Sequence, residues 1–281
     1  MTFKELLKIG KDILEKSNVE NSSNEARWIF EAVFNCKSDF IVYHSDETVN
    51  SLNSEVYIDK IQKRASGLPI QYVIGEWDFY GETFFVGEGV LIPRPETELL
   101  VDFAIEYLKN KKNPFIIDLC SGSGCIGLTV AKLIPDSKVW LVEKSPQAMS
   151  YLLKNKEKLK LDNINIIYGD IFDGFSSFKI PSPDLILSNP PYINSDEICA
   201  LQLEVLKEPV MALDGGKDGL DFYRAIADKW LDFCGGAIAV ECGEGQSKYI
   251  EQIFLNQCSD IYSVQDFNGI ERVVIGKKGK K

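Results

Sequence analysis

The chain has 281 residues, 45% of them hydrophobic, enough for one large domain plus a small one with its own core. Its 42 acidic and 31 basic side chains leave a net charge of −11, a field that repels phosphate backbones and argues against any role resting on non-specific nucleic-acid affinity. The seven scattered cysteines contain no C-x-x-C pair and His44 is the only histidine, which argues against a disulfide framework, a metal site and most imidazole catalysis.

From Thr2 to about Arg64 the apolar residues recur at helical spacing, in "FKELLKIGKDILEK" and "NEARWIFEAVF", which predicts a small helical domain. His44 falls in this helical region as a surface or half-buried residue. In "GEWDFYGETFFVGEGVLI", Gly75 to Ile92, aromatics alternate with polar residues about Gly81, predicting two short strands, a turn and the domain junction. The expected organisation is a helical domain over residues 1–74, a β-hairpin linker over 75–92 and an α/β domain over 93–281.

After a helix in "ETELLVDFAIEYLKN", strand and helix alternate. "FIIDL" is followed by the helix "CIGLTVAKL", and "KVWLV" by the helix "SPQAMSYLLKNKEKL", with Ser145 as N-cap and Pro146 in the first turn. "INIIYGD" and "DLILS" read as further strands, followed by a helix about "LDFYRAIADKWLDF", the strand "AIAVE", a helix from about Gln246, and a closing pair. This alternation predicts an α/β fold with a Rossmann-like parallel sheet covered on both faces. Asn268-Gly269 signals a hairpin, so the last strand is expected to run antiparallel. The basic end, "GKKGKK", reads as a solvated tail. The N-terminal stretch mixes charges with apolar residues, and no apolar run is long enough to span a membrane, so an unexported, cytoplasmic protein is expected.

"DLCSGSGCIG" joins the first strand of the α/β domain to its helix. Gly122, Gly124 and Gly127 satisfy G-x-G-x-x-G in the strand-to-helix context that gives the motif meaning, and Glu143 at the tip of the next strand is placed to accept hydrogen bonds from ribose hydroxyls. NAD and S-adenosylmethionine both satisfy that much. The single distant histidine argues against hydride chemistry, and Asp118, just before the loop, favours a cofactor carrying an ammonium and a sulfonium over one carrying phosphates.

"SNPPY" ends the strand "DLILS", and its two prolines stiffen the turn. The side-chain oxygen of Asn189 and the carbonyl of Pro190 can accept both N–H bonds of a planar NH2 group, while Tyr192 offers it a face. Such a clamp orients a weakly nucleophilic nitrogen toward a methyl donor.

These residues resemble N-methyltransferases of amide and exocyclic base nitrogens. Together with "GLPIQYVIGEWDFYGETFFV", "LIPRPETELLV", "EPVMALDGGKDGLDFYR" and "NGIERVVIG", from about Gly67 to Gly276, they resemble the HemK/PrmC family, the peptide-chain release factor glutamine methyltransferases. The resemblance implies a class I S-adenosylmethionine-dependent methyltransferase domain behind a substrate-recognising helical domain and hairpin. It also implies N5-methylation of the glutamine in the Gly-Gly-Gln motif of class I release factors. A monomer with no metal and no direct nucleic-acid or membrane partner is expected. Carried onto this chain, the cofactor loop falls on Cys120, Ser121, Gly122, Ser123 and Gly124, and the ribose carboxylate on Glu143. The adenine side falls on Asp170 and Ile171, and the clamp on Asn189, Pro190, Pro191 and Tyr192, with Asn189 also facing the cofactor. Cys120-Ser121 stand where the family usually has Gly-Thr or a similar small pair, Glu143 where it more often has Asp, and Ile171 offers adenine no aromatic face. Arg94, Glu96 and the Glu208-Pro209 pair are expected to shape the junction near the site. The competing readings are an adenine or cytosine exocyclic N-methyltransferase, against which the acidity counts, and a non-catalytic S-adenosylmethionine-binding adaptor, against which the intact loop and clamp count.

Overall fold

The computed structural model describes residues 1–279; Lys280 and Lys281 of the basic end lie outside the described residues. The rest of that end is held by the sheet rather than solvated, since Gly276 and Lys277 belong to a strand and Lys278 N donates to Gly236 O at 2.8 Å.

Two compact units are present. Met1–Glu76 with Gln202–Lys207 forms one, and Trp77–Leu201 with the chain from Glu208 onward forms the other. In the first, α1 (Phe3–Lys16), α2 (Ser22–Phe34), α3 (Ser38–Tyr43), α4 (Ser51–Ala65) and α5 (Ile70–Ile74) surround a core of Leu6, Leu14, Ile29, Phe30, Tyr57 and Ile61, all fully buried. A capping box opens α1: Thr2 accepts from Glu5 N, and the Glu5 carboxylate accepts from Thr2 N. Gly10 lets α1 close on α4, because a Cβ there would stand 2.1 Å from the Tyr57 hydroxyl. Buried Arg64 is neutralised by Glu25 and, at 2.6 Å, by Glu204. His44 ends α3, half-buried, stacked on Phe40 at 4.1 Å and bonded to Glu47 at 2.7 Å.

A hairpin, β1 (Glu76–Phe79) and β2 (Glu82–Phe85), opens the second unit, with only Glu76 belonging to the first. Tyr80 and Gly81 both take positive φ, 51° and 75°, the backbone a two-residue turn of matching twist requires. There follow α6 (Glu98–Leu108), β3 (Phe115–Leu119), α7 (Cys125–Leu133), β4 (Lys138–Glu143), α8 (Pro146–Leu159), β5 (Ile164–Tyr168) and β6 (Leu185–Ser188). α9 (Asp221–Lys229), β7 (Ala237–Glu241), α10 (Ser247–Phe254), β8 (Asp260–Gln265) and β9 (Glu271–Lys277) complete it.

The seven strands take the order β5-β4-β3-β6-β7-β9-β8, parallel from β5 to β7, with β9 antiparallel to both neighbours. The closing antiparallel strand read from Asn268-Gly269 is therefore present. Asp266 N bonds to Ile270 O at 2.8 Å and only Gly269 is left-handed, φ 78°, so the loop has three residues. Alternate strand residues feed two cores: Leu141, Leu187 and Ala239 on one face, Val142, Ile186 and Val240 on the other. The helix expected through "LDFYRAIADKWLDF" stops at Lys229 because Trp230 leaves helical geometry to donate its indole N–H to Ile171 O at 2.8 Å. Strand order reverses between β3 and β6, so the carboxyl ends of these strands frame the crevice in which open α/β sheets bind ligands.

Candidate active site

Ser145 caps α8 by accepting from Ala148 N at 3.2 Å, which fixes the chain leaving the tip of β4. Glu143, the last residue of β4, is thereby held beside the glycine loop. Its carboxylate accepts from Gly122 N at 2.7 Å, Lys144 N at 2.9 Å and Ser145 N at 2.7 Å. Of about four acceptor positions on a carboxylate, one is left for a ligand hydroxyl. Burial raises its pKa above the ordinary value, and the three backbone N–H groups oppose that rise.

The loop itself is tied down from below. The Ser121 hydroxyl bridges Asp118 O at 2.9 Å and Val142 O at 3.1 Å, and Asn155, fully buried, joins Ser123 O to the β2 backbone at Phe85. Cys120 adopts φ 59°, a left-handed conformation costing a non-glycine residue about 1–2 kcal/mol, and Gly122 adopts φ 57° with open space where a Cβ would point. Asp118 lies beneath. One oxygen accepts from Gly127 N at 2.9 Å, and the other has no partner among the described residues. Burial, with Glu143 nearby adding to it, pushes this carboxyl to about 8. An orphaned, fully buried acid is suited to a cationic group.

A cavity opens over the loop and Glu143, while Asp118, fully buried beneath them, is not among the residues that line it. It is lined by Cys120–Ser123, Glu143–Ser145, Gly169–Phe172, Asn189 and Pro191, and completed by Val90, Leu91, Thr97, Met211 and Phe222. The structure thus gathers Cys120, Ser121, Gly122, Ser123, Glu143, Asp170, Ile171, Asn189 and Pro191 at one wall. It does not bring Gly124, Pro190 or Tyr192 to that wall: Gly124 is the N-cap of α7, Pro190 is buried off the cavity, and the Tyr192 ring packs against the core instead, its carbonyl accepting from Gln246 Nε2 at 2.8 Å. Asp170 caps the turn Ile171–Asp173 and pairs with Lys144 at 2.7 Å. Burial raises the Asp170 pKa, but Lys144 and the Phe172 N–H outweigh it and hold the carboxyl below its ordinary value. The same turn buries Ile171 and leaves Phe172 38% exposed at the cavity, its ring edge-on to Phe222 at 5.0 Å. The aromatic face that Ile171 lacks is therefore offered one residue later.

The turn after β6 is seated from three sides. Ser188 Oγ donates to Leu119 O at 2.8 Å, binding the end of β6 to the end of β3. The segment Leu213–Gly219 lies against the Pro-Pro-Tyr backbone: Ile193 N donates to Leu213 O at 2.9 Å, and a Cβ on Gly215 would stand 2.7 Å from Tyr192 Cα. Glu208, almost fully buried, accepts from Ile92 N at 3.0 Å and pairs with Arg94, so these two residues bind the chain before α6 to the loop after β6. Asn189 Nδ2 donates to Thr97 Oγ1 at 3.1 Å, and its Oδ1 has no partner among the described residues.

A reversing sheet, a glycine loop answered by an acidic strand tip, and an oriented Asn-Pro-Pro turn at the crevice define a methyltransferase-type α/β protein. The methyltransferase small domain model matches residues 97–217, and the PrmC N-terminal domain model matches residues 5–75. A 16S rRNA methyltransferase from T. thermophilus, solved in complex with AdoMet and guanosine, shares the fold at TM-score 0.52 and 18% identity, covering 73% of this chain and 50% of that one. The chain belongs to the release factor glutamine methyltransferase family. It is 40% identical over 246 residues to the member from Thermodesulfovibrio yellowstonii, covering 85% of this chain and 87% of that protein, and 34% identical over 284 residues to the member from Clostridium acetobutylicum, covering 99% of each.

Proposed function

We propose that this protein transfers a methyl group from S-adenosylmethionine to the side-chain amide nitrogen of the glutamine in the Gly-Gly-Gln motif of class I peptide chain release factors. The observation that carries the reading is Asn189 at the cavity wall, its NH2 committed to Thr97 and its Oδ1 left to accept. A substrate amide nitrogen is a poor nucleophile because its lone pair is delocalised. Accepting one of its N–H bonds at Oδ1 orients the nitrogen and stabilises the positive charge that develops on it. Pro190, expected to supply a second acceptor, does not line the cavity, so the scheme rests on Asn189 Oδ1, which the rigid Pro190-Pro191 turn keeps in place without reorganisation.

The residues present fit the cofactor. Asp118, its orphaned oxygen buried beneath the loop rather than on the cavity wall, suits the ammonium; the remaining acceptor position of Glu143 suits a ribose hydroxyl; Ile171 and Phe172 supply an apolar and an aromatic surface for the base; and Gly122 leaves the loop open. When bound, S-adenosylmethionine supplies an electrophilic methyl group on sulfur. The helical unit, with its separate core, serves as the second contact for a protein substrate, because a single glutamine in a flexible loop offers little surface to a small site. The seven cysteines are free, consistent with a cytoplasmic setting, and no helix among the described residues is long and apolar enough to cross a membrane.

Single-turnover methylation by Asn189→Ala and Asn189→Asp tests the clamp. Both are expected to lose transfer while retaining cofactor binding, and near-normal turnover in either would remove the basis of the proposal.

A further inference from the structure

We infer that Thr97 and Glu241 are positioning residues for the reaction, a relay in which the Glu241 carboxylate orients the Thr97 hydroxyl, and that hydroxyl decides which end of the Asn189 amide faces the substrate. The inference rests on the function proposed above. Three separate elements meet here: Asn189 follows β6, Glu241 ends the adjacent β7, and Thr97 ends the short turn that leads into α6. Thr97 Oγ1 lies 2.5 Å from Glu241 Oε2 and 3.1 Å from Asn189 Nδ2, with Thr97 and Glu241 only 1% and 2% exposed.

The chemistry follows from donor counting. A carboxylate only accepts, so while Glu241 is ionised the single Thr97 proton must go to it, and Oγ1 can offer Asn189 nothing but a lone pair. Asn189 must then turn its NH2 toward Thr97 and its oxygen toward the substrate. A protonated Glu241 can instead donate to Oγ1, which frees the hydroxyl proton for Asn189 Oδ1 and lets the amide flip. In the flipped state two NH2 groups confront each other and the substrate nitrogen loses its acceptor.

Glu241 is poised between these states. Burial pushes its carboxyl up to about 7, the Thr97 bond opposes that, Glu96 raises it further, and Arg272 and Arg94 lower it. Tyr192, Tyr223, Cys125 and Cys242 also face it and are all held neutral, their pKa values raised chiefly by burial. Glu241 is thus the group of this cluster that changes charge near neutrality.

Two measurements test the relay. In steady-state methylation of a Gly-Gly-Gln protein, Thr97→Val and Glu241→Gln should lower kcat roughly tenfold, the scale of one orienting hydrogen bond, with cofactor Kd and substrate KM within about threefold of wild type. Thr97→Ser, which keeps the hydroxyl, should restore most of the turnover, and the rise of kcat with pH near 7 should flatten in Glu241→Gln. Unchanged kcat and pH profile in Glu241→Gln would overturn the relay, as would parallel losses of affinity, turnover and melting temperature that point to a purely structural tie. The second measurement needs no turnover. The side-chain amide signals of Asn189 in 15N-labelled protein should shift as Glu241 titrates in wild type and not in Glu241→Gln. Absence of that titration overturns the relay, whereas its presence in a wild type that fails to methylate glutamine would overturn the proposed function and leave the relay standing.

Discussion

Asp118 offers a test of the cofactor site that requires no substrate. Its carboxyl is pushed from an ordinary 3.8 to about 8, chiefly by burial, with one oxygen bonded to Gly127 N and the other orphaned. Because the folded-state value is raised, the folded protein holds this proton more tightly than the unfolded chain. The associated stability is full below the unfolded value and is lost as pH rises toward the folded one. The whole displacement amounts to about 5–6 kcal/mol, of which about 2 kcal/mol falls between pH 6 and 8. Glu241 contributes a loss of the same sign that ends near 7, so the comparison must isolate Asp118. Asp118→Asn keeps an oxygen for Gly127 N and cannot ionise. Urea denaturation of cofactor-free wild type and Asp118→Asn at pH 6 and pH 8 should show the variant gaining about 2 kcal/mol on wild type over that interval. A cation placed beside Asp118 pulls the proton off, so calorimetry near pH 7 in buffers of different ionisation heat should show proton release when S-adenosylmethionine binds wild type, and much less with the variant. Parallel stability profiles, together with binding that releases no protons, would refute the assignment of Asp118 to the ammonium.

Glu143→Ala should weaken cofactor binding by about 1–3 kcal/mol by calorimetry, since it removes a ligand acceptor and the carboxylate that gathers Gly122, Lys144 and Ser145 N–H groups; an unchanged Kd would make Glu143 a structural residue only. Gly215→Ala forces a Cβ against the Tyr192 and Pro191 backbone and should cost about 1–3 kcal/mol of stability, with kcat falling more than cofactor affinity, as measured by thermal melts and turnover. Deleting residues 1–74 should spare cofactor binding and weak methylation of a short Gly-Gly-Gln peptide while raising KM for the intact release factor; equal losses on peptide and protein would mean that the helical unit merely supports the fold.

The parts of this molecule legible in the sequence are those written in local patterns. The alternation of apolar runs and helices, Ser145-Pro146 at a helix start, the positive-φ positions Gly81, Gly122 and Gly269, and the prolines after β6 each impose their conformation over a few residues, so the sheet, the glycine loop and the Asn-Pro-Pro turn are legible in order. What escaped was set by contacts across the chain. Thr97 meets Glu241 across 144 positions and Asn189 across 92, and nothing near any of the three signals the meeting. Phe172 carries no signal in the sequence, because the Asp170-capped turn buries Ile171 and turns the next side chain, an exposed ring, toward the cavity. Arg94 and Glu208 are legible as junction residues, but their partnership depends on a loop that supplies only short helical turns between β6 and α9.

The proposed reaction can be followed by tandem mass spectrometry of a class I release factor incubated with the enzyme and S-adenosylmethionine carrying an isotopically labelled methyl group. One labelled methyl group, located on the side-chain nitrogen of the Gly-Gly-Gln glutamine, is expected from wild type and none from Asn189→Ala. An unmodified glutamine, or label found instead on the exocyclic amines of adenine or cytosine in a nucleic acid supplied alongside, would contradict the proposed reaction.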